Sequence, residues 1–212
     1  MSIYILYGAA AYLAGIAGGI AIAYLVKKDG VHLVKNIKNT LVLCALCAFA
    51  FEIALWSGFA GDKIPTEFIS CFVTVFFMLW LAATDFTSFT LPNDILLRWL
   101  VCRLFLMTAS GILEWSLEIP VYSALGAIVI GLLFLLMYYV SKRTLGGGDI
   151  KLSFVLGLSL TLTNVFNAVF YGLVICTLFA GVCLLLKKLN RKDFLPLGPF
   201  LFAGTLIAYF LR

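Results

Sequence analysis

Two aspartates stand at breaks in an otherwise apolar chain: Asp85 in "AATDFTSFTLPND" and Asp149 in "TLGGGDIKL", 64 residues further on. A carboxylate at the edge of hydrocarbon is costly unless it is solvated, paired or used, so each is a functional candidate by default. Facing one another in a partly dehydrated site, the two cannot both ionise easily and tend to share one proton. One is then a base and the other an acid, which suits hydrolysis of a peptide bond. The base takes a proton from attacking water while the acid hydrogen-bonds the carbonyl oxygen. Such chemistry requires no covalent intermediate, metal or cofactor.

The residues around Asp149 have physical reasons of their own. Gly146, Gly147 and Gly148 lack Cβ atoms, which permits φ > 0 and a close approach of backbone to backbone, so an extended substrate has room to lie there. The competing structural reading is a helix-start turn with Asp149 as its N-cap. Lys151 is placed either to orient Asp149 or to bind lipid phosphate. A phosphate-binding loop is not expected, because the Lys-Ser/Thr pair and the strand context of that motif are missing.

Other candidates carry less chemistry. His32 is the only histidine and cannot build a metal site or a serine-type triad alone. The six cysteines (Cys44, Cys47, Cys71, Cys102, Cys176 and Cys183) lie in apolar runs and read as small core hydrophobes. Cys44 and Cys47 form a C-x-x-C without a second pair, so no metal is expected. Arg98 is placed to snorkel. Arg103 and Glu52, deeper in their helices, are expected to form an interhelical ion pair, and Asp94 to cap a helix.

Positioning the aspartates is the work of a membrane bundle. The chain has 212 residues, 64% hydrophobic and only 12% charged, with a mean hydropathy of +1.12. Too few polar residues remain to cover a soluble fold, so the expected class is all-α and polytopic. With about 20 apolar residues per span, eight candidate helices fall near residues 3–26, 39–60, 67–84, 95–113, 121–141, 150–163, 165–186 and 194–211. Residues 1–26 lack a basic n-region and a cleavage site, and read as a first membrane helix rather than a signal peptide. There is no repeat or soluble insertion, so 1–212 is expected to be a single membrane domain.

Basic residues set the expected orientation. Lys27, Lys28, Lys35 and Lys38 follow the first candidate span; Lys142, Arg143 and Lys151 follow the fifth; Lys187, Lys188, Arg191 and Lys192 follow the seventh. The alternate connections "GDKIPTE" and "EWSLEIP" are net acidic. Both termini are therefore expected on the extracytoplasmic side, and Asp85 and Asp149 at the cytoplasmic boundary.

At this point the residues resemble a family. The stretch from Asp85 through "FTSFTLPND", with Pro92 and Asn93 seven and eight positions after the aspartate, resembles the first catalytic motif of type IV prepilin peptidases. "GGGDIKL" resembles their glycine-x-glycine-aspartate motif, and "LPLGPFLFAG", with Pro196, Gly198 and Pro199, resembles their C-terminal proline-glycine-proline segment. The resemblance covers about residues 68–204, the expected peptidase core. It implies a membrane aspartyl protease with Asp85 and Asp149 as the catalytic pair. The same resemblance implies that Gly146, Gly147, Gly148, Lys151, Pro92, Asn93, Pro196, Gly198 and Pro199 bind substrate or shape the site.

The implied substrate is a prepilin or pseudopilin with a short basic leader and a hydrophobic stem, cut at the cytoplasmic face of a bacterial-type plasma membrane. The lipid bilayer is the other partner, and no nucleic acid or cofactor is implied. Many relatives carry a cysteine-rich cytosolic insertion after their first helix and also methylate the new N-terminus. Here that position is only "KKDGVHLVKNIKN", so peptidase activity without methylation is expected. Two alternatives compete. Presenilin-type intramembrane proteases also use a GxGD aspartate, but pair it with tyrosine-aspartate and proline-alanine-leucine motifs, where this chain has "TDF" and "LPLGP". A proton-coupled transporter would use the aspartates as a relay and would place them near mid-membrane in symmetric halves.

Overall fold

The computed structural model describes residues 65–115, 117–141, 145–187 and 194–211, with six helical positions between 16 and 24. The candidate span 39–60, most of 3–26, His32, the Cys44–Cys47 pair and the Glu52 partner expected for Arg103 lie outside the described residues. So do the basic residues of the first connection, Lys142, Arg143, Lys188, Arg191 and Lys192.

Among the described residues the fold is all-helical: α1 Pro65–Ser88, α2 Asn93–Glu114, α3 Glu118–Val140, α4 Gly147–Ser159, α5 Leu162–Leu185 and α6 Gly198–Phe210. Within α1, α2, α3 and α5, the segments Ile69–Ser88, Asn93–Ile112, Glu118–Val140 and Leu162–Leu185 are long and apolar enough to cross a membrane. Helices α4 and α6 have 13 residues each. At 1.5 Å per residue that is about 20 Å, short of the roughly 30 Å of hydrocarbon. The expected span at 150–163 is thus two pieces: α4 stops at Ser159, Leu160 and Thr161 are extended, and α5 begins at Leu162. The run 194–211 likewise starts its helix only at Gly198.

Helix α1 packs against α2, α4 and α6. Its buried Phe77 stacks on Trp99 of α2, with ring centroids 6.2 Å apart and planes within 7°. Elsewhere the helices meet backbone to backbone through small residues, the usual route to close packing in lipid. A Cβ on Gly157 of α4 would lie 2.7 Å from Ala127 Cα of α3. A Cβ on Gly204 of α6 would collide with the Ala168 carbonyl and lie 2.5 Å from the Gly172 nitrogen of α5. Neither neighbour is a side chain that can swing away. Gly204→Ala is therefore expected to destabilise the bundle by about 1–3 kcal/mol or more, read as an earlier midpoint in detergent unfolding.

Arg103 is buried, and its guanidinium ties four helices together. It donates from Nε to the Leu158 carbonyl of α4 at 2.8 Å, from one terminal nitrogen to Ser70 Oγ of α1, and from the other to Ser123 Oγ of α3 at 3.2 Å. An intramembrane arginine survives when its donors are satisfied in this way. Of the described cysteines, Cys71 is buried as expected, whereas Cys102 is exposed on α2 and is not a core residue.

Candidate active site

Asp85 sits in the last turn of α1, where the neighbouring hydroxyls are already occupied. Thr84 donates to the Leu81 carbonyl at 2.9 Å, Thr87 to Ala83 at 3.0 Å and Ser88 to Thr84 at 2.7 Å, all on the same helix. The Asp85 carboxylate instead reaches across the bundle, where Oδ2 accepts the Gly198 N–H at 2.7 Å. Gly198 is the first residue of α6 and Pro199 follows it. First-turn N–H groups have no partner inside a helix, so Gly198 has a donor to spare and Pro199 loses nothing there. Gly198 also has to be glycine: a Cβ would lie 2.9 Å from Asp85 Oδ2 and 3.1 Å from Asp85 Cβ.

Asp149 arrives from α4. The N-cap of that helix is Gly146, not Asp149, which stands three positions later in the first turn. From there its carboxylate takes a hydrogen bond from the Gly146 backbone, the reciprocal half of a capping box. The helix-start reading of Asp149 was therefore sound in kind but displaced by three residues. None of the three glycines uses φ > 0. Gly148 packs closely against Leu91, since an added Cβ would meet Leu91 Cβ at 3.0 Å, while Gly147 has nothing within 4 Å and faces open space.

The two carboxylates line one cavity of about 1000 Å³, together with Gly146, Gly147, Gly148, Asn93, Lys151 and Pro196. Pro92, the extended N-cap of α2, and Pro199 do not line it. Lys151 donates to Asn93 Oδ1 at 2.8 Å, so it is tied to the start of α2, neither bridging to Asp149 nor left wholly for lipid. Asp94 makes no side-chain cap and lies in the first turn of α2, where its charge suits the helix dipole. Among the described residues no three potential metal ligands come together.

Phe89 escaped the sequence reading. It ends α1 in the left-handed region at φ 51°, with its N–H on the Asp85 carbonyl at 2.9 Å, and its exposed ring lines the cavity. A bulky residue in that conformation is strained, and such strain is concentrated at functional sites. Glycine or asparagine would have signalled the turn; phenylalanine does not.

Residues 72–181 match the family model described as the type IV leader peptidase family. The chain belongs to this family. It is 29% identical over 147 residues to the prepilin leader peptidase/N-methyltransferase of Bacillus subtilis (strain 168), an alignment covering 69% of this chain and 57% of that protein. The chain thus aligns with little more than half of that relative's length. No solved structure matches it significantly. Both Asp85 and Asp149 of this leader peptidase family member lie within the matched stretch, whereas Pro196, Gly198 and Pro199 lie beyond it.

Burial first, and the Asp85 charge second, push the Asp149 carboxyl up to about 6, against the Gly146 hydrogen bond that lowers it. Between those two values the folded protein holds a proton on Asp149 that the unfolded chain, with an ordinary value of 3.8, has released. Stability from this group is full below the unfolded value and is lost as pH rises through the folded one. Asp149→Asn is accordingly expected to melt above wild type at pH 7.5 and level with it near pH 4. Thermal unfolding in detergent at both pH values checks this.

Proposed function

We propose that the protein is a membrane aspartyl endopeptidase that removes the basic leader of a type IV prepilin or pseudopilin at the cytoplasmic face of a bacterial-type plasma membrane. The observation that carries this is the convergence of Asp85 and Asp149, from helices far apart in the chain, on one glycine-walled cavity. Burial first, and the neighbouring Asp85 second, make the Asp149 carboxyl the weaker-ionising partner of the pair. In this reading Asp85, fixed by the Gly198 N–H, acts as the base and Asp149 as the acid.

In the reaction, the segment to be cut lies extended along Gly146–Gly148, with the open space at Gly147 taking its backbone. Asp85 accepts a proton from water as the oxygen attacks the scissile carbonyl, and Asp149 donates a hydrogen bond to the carbonyl oxygen. Collapse of the tetrahedral intermediate sends the proton held on Asp85 to the departing amine, which frees the mature N-terminus and restores the pair. Pro196 and the Lys151–Asn93 hydrogen bond shape the walls. Cleavage without methylation fits the short connection after the first candidate span. Eight helical segments, two of them too short to cross the membrane alone, with both termini outside, and one membrane domain with its core at 68–204, belong to the same reading.

Co-expression with a prepilin-type substrate tests it. A shortened substrate whose new N-terminus has the mass of the unmethylated form is expected. A substrate that stays full length, alongside proton-linked flux in proteoliposomes, would favour the transporter instead.

A further inference from the structure

A second concavity adjoins the catalytic one. It is a groove of about 690 Å³ between α2, α3 and α4, and its walls are almost wholly apolar. One face of α3 forms its floor: Ile128, Gly131, Leu132 and Leu135 recur at helical spacing. Gly131 lets α4 come close to α3 here, since the Phe154 ring packs within 3.1 Å of where a Cβ on Gly131 would stand. Leu97 and Leu132 stand 60% and 58% exposed on its two sides, so the groove is open laterally. Along α2 the lining runs from Asn93 to Leu100, about 10 Å at 1.5 Å per residue, or two helical turns.

Groove and catalytic cavity share Asn93 and Lys151, which are hydrogen-bonded to each other. That pair is a polar threshold, with the carboxylates on one side and hydrocarbon on the other. We propose that the groove seats the first turns of the substrate's apolar stem as a helix, so that the residue before the stem crosses the Lys151–Asn93 threshold into the cavity. The proposal rests on the peptidase reading above. What favours a peptide stem over bulk lipid is this continuity: a ligand that changes from polar to apolar within a few residues matches a surface that does the same. The helix-in-groove arrangement then fixes the register of the cut without any contact to the leader's sequence.

The test places benzoylphenylalanine at Leu132 in the full-length Asp149→Asn protein and irradiates membranes that contain a prepilin-type substrate. The control position is Leu178, equally exposed on α5 but outside the groove. Adducts at Leu132, mapped to the first turns of the stem and lost at Leu178, are the expected result. In the active protein, Leu132→Trp is expected to raise KM for the same substrate about tenfold, a loss of about 1.4 kcal/mol. Adducts only to lipid, to a second copy of the chain or to its own residues 1–64 would overturn the proposal. Failure of the active protein to cleave that substrate at all would instead remove the peptidase reading, and the stem site with it.

Discussion

Asp85→Asn and Asp149→Asn are each expected to lower leader cleavage by about 10³-fold, within the range for losing a positioned acid or base. Asparagine keeps the size of the side chain and an oxygen that can accept a hydrogen bond. At position 85 it can still take the Gly198 N–H, now 2.7 Å from Oδ2, and at position 149 the bond from the Gly146 backbone. At position 85 it cannot take a proton from water or pass one to a departing amine, and at position 149 its amide N–H is a far weaker acid than a carboxyl O–H for the negative charge that develops on the carbonyl oxygen. The loss should therefore fall on kcat, while substrate binding and the helical signal stay as in wild type. An Asp85→Asn protein cleaving near the wild-type rate would remove Asp85 from the chemistry.

Gly198→Ala is expected to lower kcat about 100-fold, although residue 198 carries out no chemistry. Its added Cβ would lie 2.9 Å from Asp85 Oδ2, 3.1 Å from Asp85 Cβ and 3.4 Å from Ala82 Cα. Either α6 withdraws and the 2.7 Å hydrogen bond is lost, or the Asp85 carboxylate turns aside. A displacement on the order of 1 Å at a reacting group costs about 10²-fold. Gly181→Ala is the matched control, because nothing stands within 4 Å of its new methyl group and it lies on α5 outside the cavity. Equal losses of kcat in the two variants would show that Gly198 acts by something other than holding Asp85. Single-turnover cleavage with saturating enzyme separates the cases.

Much of this arrangement was legible because lipid imposes simple rules. Long apolar runs marked α1, α2, α3 and α5 to within a few residues, and the breaks at Asp85 and Asp149 marked where helices end and begin. The short helices were harder. Hydropathy alone does not distinguish a 13-residue helix that starts at a polar cavity from a thin transmembrane span, so the short segment 150–163 runs across the break at Leu160 and Thr161 and 194–211 is too long.

Side-chain partners were the least visible part. Arg103 is satisfied in part by hydroxyls on α1 and α3 and a carbonyl on α4, and lone serines inside apolar runs give no spacing signal. Lys151 bonds to Asn93, 58 residues away, rather than to the nearby Asp149. The left-handed turn that sequence logic assigned to the glycines belongs to Phe89. Gly198 was singled out only by resemblance; its task, a backbone N–H delivered to Asp85 at contact distance, depends on tertiary packing.

The central claim is that Asp85 and Asp149 act as one unit on one water molecule. A double-mutant cycle on single-turnover leader cleavage, with Asp85→Asn, Asp149→Asn and the combined variant, measures this directly. Residues that work as a unit lose everything at the first substitution, so the double variant should be no slower than the slower single variant. Losses that multiply in the double variant would contradict the account, as would cleavage near the wild-type rate in either single variant.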